Sequence, residues 1–210
     1  MSRGFEFKQL MRAYRAGAIN ETDFEREMKN LENGSAHGNG SGGFVAFGRT
    51  YASEREAVMR FLETVSPAET NGGEAIRKWL EVCTTECIRG GLQMVAEREA
   101  YHGRAFERRL KELGGTFVNK PTEEHTKSLA YLGNASVSDL EKLQRGAKRF
   151  PNPDETIRPL FEFAELLKED LQTKEMVNLF AQDELSTLKW QNALCEKLSA
   201  MQHGDRAAAN

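Results

Sequence analysis

A glutamate and a histidine stand three residues apart in Glu99-Ala100-Tyr101-His102, inside a segment whose neighbours at helical spacing are apolar. Read in steps of three and four, the segment gives Ile88, Leu92, Val95, Glu99, His102, Phe106, Leu110 and Leu113. That is the periodicity of a helix with one buried seam. Side chains at i and i+3 share a helix face, so a carboxylate and an imidazole are offered together to the interior. A second segment repeats the pattern: Val177, Phe180, Glu184, Thr187, Gln191, Leu194, Leu198 and Met201, again polar at its centre. Burying such groups unpaired costs on the order of several kcal/mol, so something must compensate them. A bound metal ion is one solution, and carboxylates with one imidazole suit iron or manganese, with zinc compatible. The other is a metal-free network in which a protonated His102 sits between carboxylates and Glu184, Thr187 and Gln191 complete the hydrogen bonds.

These residues need helices to position them, and the chain from Ser53 to about Met201 reads as helical throughout. Ser53 and Glu56 form a capping box ahead of Ala57, Val58, Phe61 and Leu62, and Pro67 with Gly72-Gly73 is expected to end that helix. Ile76, Leu80, Cys83 and Cys87 make the next stripe, with a turn near Thr84-Thr85. Gly114-Gly115 closes the Glu99 helix. A connector from Thr116 to Pro153 contains a short helix capped by Ser138, and segments from Glu155 to Leu171 and from Lys174 to Met201 complete the domain. No strand pattern is evident. Glu165 borders the seam Ile157, Leu160, Ala164, Leu167 and Leu171 and is a candidate auxiliary ligand. The helix before Gly90 offers no clear carboxylate: Glu74 lies near its start, and Glu81 and Glu86 lie off its seam.

Ahead of this domain, Phe7, Leu10, Met11 and Tyr14 make one short helical stripe, and Phe24, Met28 and Leu31 make a second after a break at Ala16-Gly17-Ala18. Two helices this short bury too little to stand alone and need a partner. The stretch from Asn33 to Gly43 is a glycine-, serine- and asparagine-rich linker composition. The expected division is therefore a helical hairpin at 1–32, a linker at 33–52, a helical bundle at 53–204 and a disordered tail at 205–210.

Glu99-Ala100-Tyr101-His102 resembles the Glu-x-x-His element of the ferritin-like superfamily, in its rubrerythrin-type members. Asp183-Glu184-Leu185-Ser186-Thr187 resembles the partner motif on the last helix, with Thr187 standing where a second histidine belongs. The resemblance implies an all-α, four-helix bundle with Glu99, His102, Glu184 and Glu165 as metal ligands, and storage or redox chemistry. A full dimetal site of this kind takes six ligands. The shortfall favours one metal ion or a vestigial site holding none, and in the latter case the protein is a helical scaffold. At the N-terminus, Leu10, Tyr14, Gly17, Ile19, Phe24, Glu25 and Leu31 resemble the SHOCT-type short hairpins attached to unrelated bacterial proteins, which implies self-association.

Composition narrows the function classes. The 210 residues carry a net charge of −3, so no basic excess points to nucleic acid or an anionic membrane. No apolar run reaches the roughly 18 residues of a membrane span. The three cysteines, Cys83, Cys87 and Cys195, fit no zinc or Cys-x-x-Cys spacing and read as reduced thiols of a cytoplasmic protein. The partner expected is another copy of the chain, met through the hairpin or the bundle faces.

Overall fold

The computed structural model describes residues 43–120 and 122–208, and the expected hairpin at 1–32 lies outside them. The described chain is mostly α-helical. A β-hairpin, β1 (Phe44–Ala46) and β2 (Arg49–Tyr51), precedes six helices: α1 (Glu54–Val82), α2 (Glu86–Glu112), α3 (Glu123–Leu132), α4 (Asp139–Arg149), α5 (Pro153–Leu166) and α6 (Leu171–Ala208). No described helix is long and apolar enough to cross a membrane.

The β-hairpin corrects the reading of residues 44–51 as linker. β1 and β2 pair antiparallel with Phe44 opposite Tyr51 and Ala46 opposite Arg49. Phe47 (φ 51°) and Gly48 (φ 76°) turn the chain with two positive φ angles, the geometry of a tight two-residue hairpin turn. The hairpin persists because its apolar side is covered. Phe47 lies 4.8 Å from the Phe163 ring and stacks on Phe61 at 6.0 Å.

The capping box forms: Glu56 N donates to Ser53 Oγ (3.2 Å), and Ala52 N donates to the Glu56 carboxylate (2.7 Å). The helix it opens does not stop at Pro67 or Gly72-Gly73 but runs unbroken to Val82. Pro67 removes one N–H from the helix ladder, and Ser66 Oγ and Thr70 Oγ1 bond back to the carbonyls of Leu62 and Ser66 (2.7 and 2.9 Å). Packing along the length of α2 outweighs these local breakers. The chain then turns at residues 83–85, as expected, and α2 returns to Glu112. Leu113 caps α2 and Gly114 takes φ 85°, the expected stop. Thr122 caps α3, which forms within the expected connector, and Ser138 caps α4 as expected. α5 ends at Leu166, short of the expected Leu171, and α6 continues to Ala208, into the stretch read as a tail.

Two buried carboxylates tie the corners. Glu54 accepts the backbone N–H groups of Lys168, Glu169 and Asp170 at 2.8–2.9 Å, pinning the α5–α6 loop to the start of α1. Asp139 accepts from Trp79 Nε1 (2.7 Å), Thr84 N (3.0 Å) and Thr85 N (2.9 Å), fixing the α1–α2 turn against α4.

The interior is divided. One apolar cluster gathers Val58, Leu62 and Val65 of α1, Phe106 and Leu110 of α2, Phe163 and Ala164 of α5, and Val177 and Phe180 of α6. A second gathers Trp79, Cys83, Ile88, Leu92, Leu143 and Cys195. Between these clusters α1, α2 and α6 also bury polar groups at seam positions, Glu69, His102 and Thr187.

Candidate functional site

That polar layer is built by three helices. On α1 the seam reads Val58, Leu62, Val65, Glu69, Gly72, Ile76, Trp79 and Cys83, so Glu69 is its central position. α2 contributes Glu99 and His102, and α6 contributes Asp183 and Glu184. Glu69 and His102 are buried at 7% and 5% exposure; Glu99, Asp183 and Glu184 are partly buried.

His102 stands at the centre. Its Nδ1 lies 3.3 Å from Glu69 Oε2 and its Nε2 lies 3.0 Å from Asp183 Oδ2. The ring meets Phe180 edge to face at 5.1 Å, so the aromatic cluster walls the site on that side. One ligand atom each from Glu69, His102 and Glu184 lie within 4.8 Å of one another.

Crowding of carboxylates in a dry layer changes their acidity. Burial pushes Glu69 well above the ordinary carboxylate value, and the Glu184 charge adds to it. Glu99 is raised well above that value too, by burial and then by Glu69 and Glu184, with Arg98 opposing. Burial also raises Glu184, against the pull of His102 and Arg98.

Arg98 of α2 ties this layer to α6 through Thr187. Its Nη2 donates to Thr187 Oγ1 (2.6 Å) and its Nη1 to Ser186 Oγ (2.8 Å), with Asp183 at 3.5 Å. A fixed positive charge therefore stands beside the Glu99 and Glu184 carboxylates.

Close approach of α1 and α2 makes the layer possible. A methyl group at Gly72 would collide with the Glu99 carboxylate, and one at Gly103 would come within 2.6 Å of Thr70 Oγ1. Gly72 does not break the helix; it leaves room for Glu99.

Of the residues singled out from sequence, Glu99, His102 and Glu184 are brought together. Glu165 is not: its side chain is 69% exposed and pairs with Lys174 at 3.4 Å. α5 turns that position outward, so Glu165 is removed from the candidate ligands. Glu69 and Asp183 are added. Glu69 could have been found by applying to α1 the seam rule that exposed Glu99, once Pro67 was not taken as an end. Asp183 reaches His102 from beside the α6 seam, a position the rule does not sample.

Compared with protein-family models, curated proteins and solved structures, the chain gives no match.

Proposed function

We propose that this is a metal-binding helical protein of ferritin-like type, holding a single transition metal ion, iron or manganese, through Glu69, His102 and Glu184. The observation that carries the reading is the convergence of three ligand atoms to within 4.8 Å of one another inside the protein. Two carboxylates and one imidazole suit iron or manganese. Glu99 lies beside the set and supplies further negative charge. Arg98, locked to Thr187 and Ser186, opposes a second cation, which favours one ion over two. When bound, a redox-active ion would supply one-electron chemistry; the chain's own part is to orient the ligands and keep bulk water from them with Phe106 and Phe180.

A second reading has its own support. Both ring nitrogens of His102 already face carboxylates, so an imidazolium donating to Glu69 and Asp183 would balance the layer without metal, leaving a helical scaffold.

Elemental analysis of the purified full chain separates the two. The metal reading expects iron or manganese bound in near-equimolar ratio to the chain, and loss of that metal in Glu69→Gln and His102→Ala. Metal far below equimolar, unchanged by either substitution, would leave the scaffold reading standing.

A further inference from the structure

The outer face of the α2–α6 pair carries apolar side chains that nothing among the described residues covers. Met94, Tyr101 and Leu179 are 64%, 62% and 62% exposed. Met94 and Tyr101 stand two turns apart on one stripe of α2. Arg98 lies between them and binds Asp183 at 3.5 Å and Ser186 at 2.8 Å. Leu179 precedes Asp183 by one turn and Ser186 by two, so the same bonds bring it beside the stripe. Single exposed apolar residues are ordinary, but a contiguous set marks an interaction surface. The stripe continues into Arg104 and Arg108, both exposed and neither in an ion pair among the described residues. Their neighbours Arg109 and Lys111 are already paired, with Asp170 and Glu107. The face therefore fits an apolar stripe with acidic borders.

A stretch of this chain outside the described residues has that pattern. In 21–32, Phe24, Met28 and Leu31 recur at helical spacing. Wound as a helix, the stretch has Glu21 and Glu27 on either side of the stripe and Arg26 and Lys29 on the far face. Phe24 and Leu31 are separated by the same two turns as Met94 and Tyr101. We propose that residues 21–32 dock as a helix on the α2–α6 face of their own chain, apolar stripe against Met94, Tyr101 and Leu179, acidic borders against Arg104 and Arg108. The docking stands apart from the metal reading. The length of the intervening chain favours the same copy. The described chain begins at Gly43, where Phe47 stacks on Phe61 and Phe61 meets Phe106 on the inner side of α2. Arg104 and Arg108 flank Phe106 on the outer side, about 10–12 Å away across the helix. The ten residues 33–42 span roughly 16–19 Å r.m.s., so Glu32 reaches the two arginines and Phe24 falls beside Met94. A tether of this length holds the segment at about millimolar effective concentration, more than a second copy supplies in dilute solution.

The test reads the face through a thiol placed on it in the full chain. Cys87→Ser removes the exposed thiol while Cys83 and Cys195 stay buried, and Met94→Cys, at an exposed position, puts one where Phe24 docks. With chelator present, its reaction with a small methanethiosulfonate should be about tenfold slower than in the same chain carrying Phe24→Ser, Met28→Ser and Leu31→Ser. Arg104→Glu with Arg108→Glu, both on the exposed side of α2, should remove the protection as the serines do. The protected rate should hold over an about hundredfold dilution of the protein, because a tethered segment does not leave. Equal rates in the parent and the triple-serine chain overturn the docking. Protection indifferent to the two arginines overturns it as well. Protection that fades on dilution gives the face to a second copy and overturns docking within one chain.

Discussion

Glu99→Gln should make the metal-free protein more stable at neutral pH, although it replaces a central residue of the site. The carboxylate is raised well above its ordinary 4.5 by burial and by the charges of Glu69 and Glu184. The sign follows from proton binding. An acid whose folded value lies above its unfolded value holds its proton longer in the fold, so stability falls as pH climbs from about 4.5 through the raised value. Above that window the folded chain carries a charge it disfavours, with only Arg98 in partial compensation. Glutamine keeps the shape and removes the charge. A buried charged group lacking its hydrogen bonds costs about 1–3 kcal/mol or more. With about 2 kcal/mol relieved, the melting temperature of a domain this size should rise by roughly 4–8 °C at pH 8. At pH 5, close to the unfolded value, little of that penalty has accrued, and the gain should shrink towards zero. Thermal melts of wild type and Glu99→Gln, both with chelator, at pH 5 and pH 8 decide it. A variant less stable than wild type at pH 8, or shifted equally at both pH values, would refute the account of the acidic layer.

Two more predictions concern ionised groups beside the α1–α2 turn. Burial pushes the Asp139 carboxyl up, but the hydrogen bonds from Trp79, Thr84 and Thr85 outweigh it and hold the group at about 2. Its contribution is present above the unfolded value of 3.8 and lost as pH falls towards 2; at about 1.4 kcal/mol per pH unit it amounts to roughly 2 kcal/mol. Asp139→Asn should therefore lose about that much at pH 7 and much less at pH 2.5, measured by denaturant unfolding; equal losses at both would contradict the assignment. Lys142 is 3% exposed, its Nζ has no hydrogen-bond partner among the described residues, and it lies 5.9 Å from the Trp79 ring. Burial lowers its pKa, against the pull of Asp139 and Cys83, so the fold favours the neutral amine and stability should rise as pH approaches the lysine value of 10.5. Lys142→Met should stabilise by about 1–3 kcal/mol at pH 7, with a smaller gain at pH 9.5; a loss at pH 7 would show the ammonium to be better solvated than its surroundings indicate.

How far the sequence exposed the site depended on whether tertiary packing agreed with local rules. In α2 and α6 the two coincide. Polar residues at seam positions stand out because every neighbour at three and four is apolar, and Glu99, His102 and Glu184 followed. In α1 they conflict. Pro67 and Gly72-Gly73 are local breakers, yet the surface buried against α2 holds the helix through them, and Glu69 disappeared with the misread boundary. Glu165 shows the converse. Its border position was inferred for a helix reaching Leu171, but the helix stops at Leu166 and leaves the side chain in solvent. The strands at 44–46 and 49–51 are three residues each, too short for an alternating pattern to register beside eleven residues of linker composition. They form because Phe44 and Phe47 find the Phe163 ring, a contact invisible from either end of the chain.

The site's register does not depend on its candidate ligands, which makes the ligand substitutions interpretable. α2 and α6 meet through polar ties spread along their length. Arg109 reaches Asp170 (2.8 Å), Thr173 (3.0 Å) and Gln172 (3.1 Å) at the start of α6. Arg98 reaches Ser186 and Thr187 further along. The Asp170 carboxyl is held below its ordinary value despite burial, by bonds from Thr173 and by Arg109, so that tie persists across the working pH range. Between these two anchors lie Glu184 and the His102–Asp183 contact. Removing His102 or Glu69 therefore alters the charge and donor set of the layer while two arginines still hold the helices in place. A loss of bound metal without loss of helical content, followed by circular dichroism on the same samples, would then belong to the ligands themselves. Simultaneous loss of both would mean that His102, by joining α1 to α6, is a third structural tie.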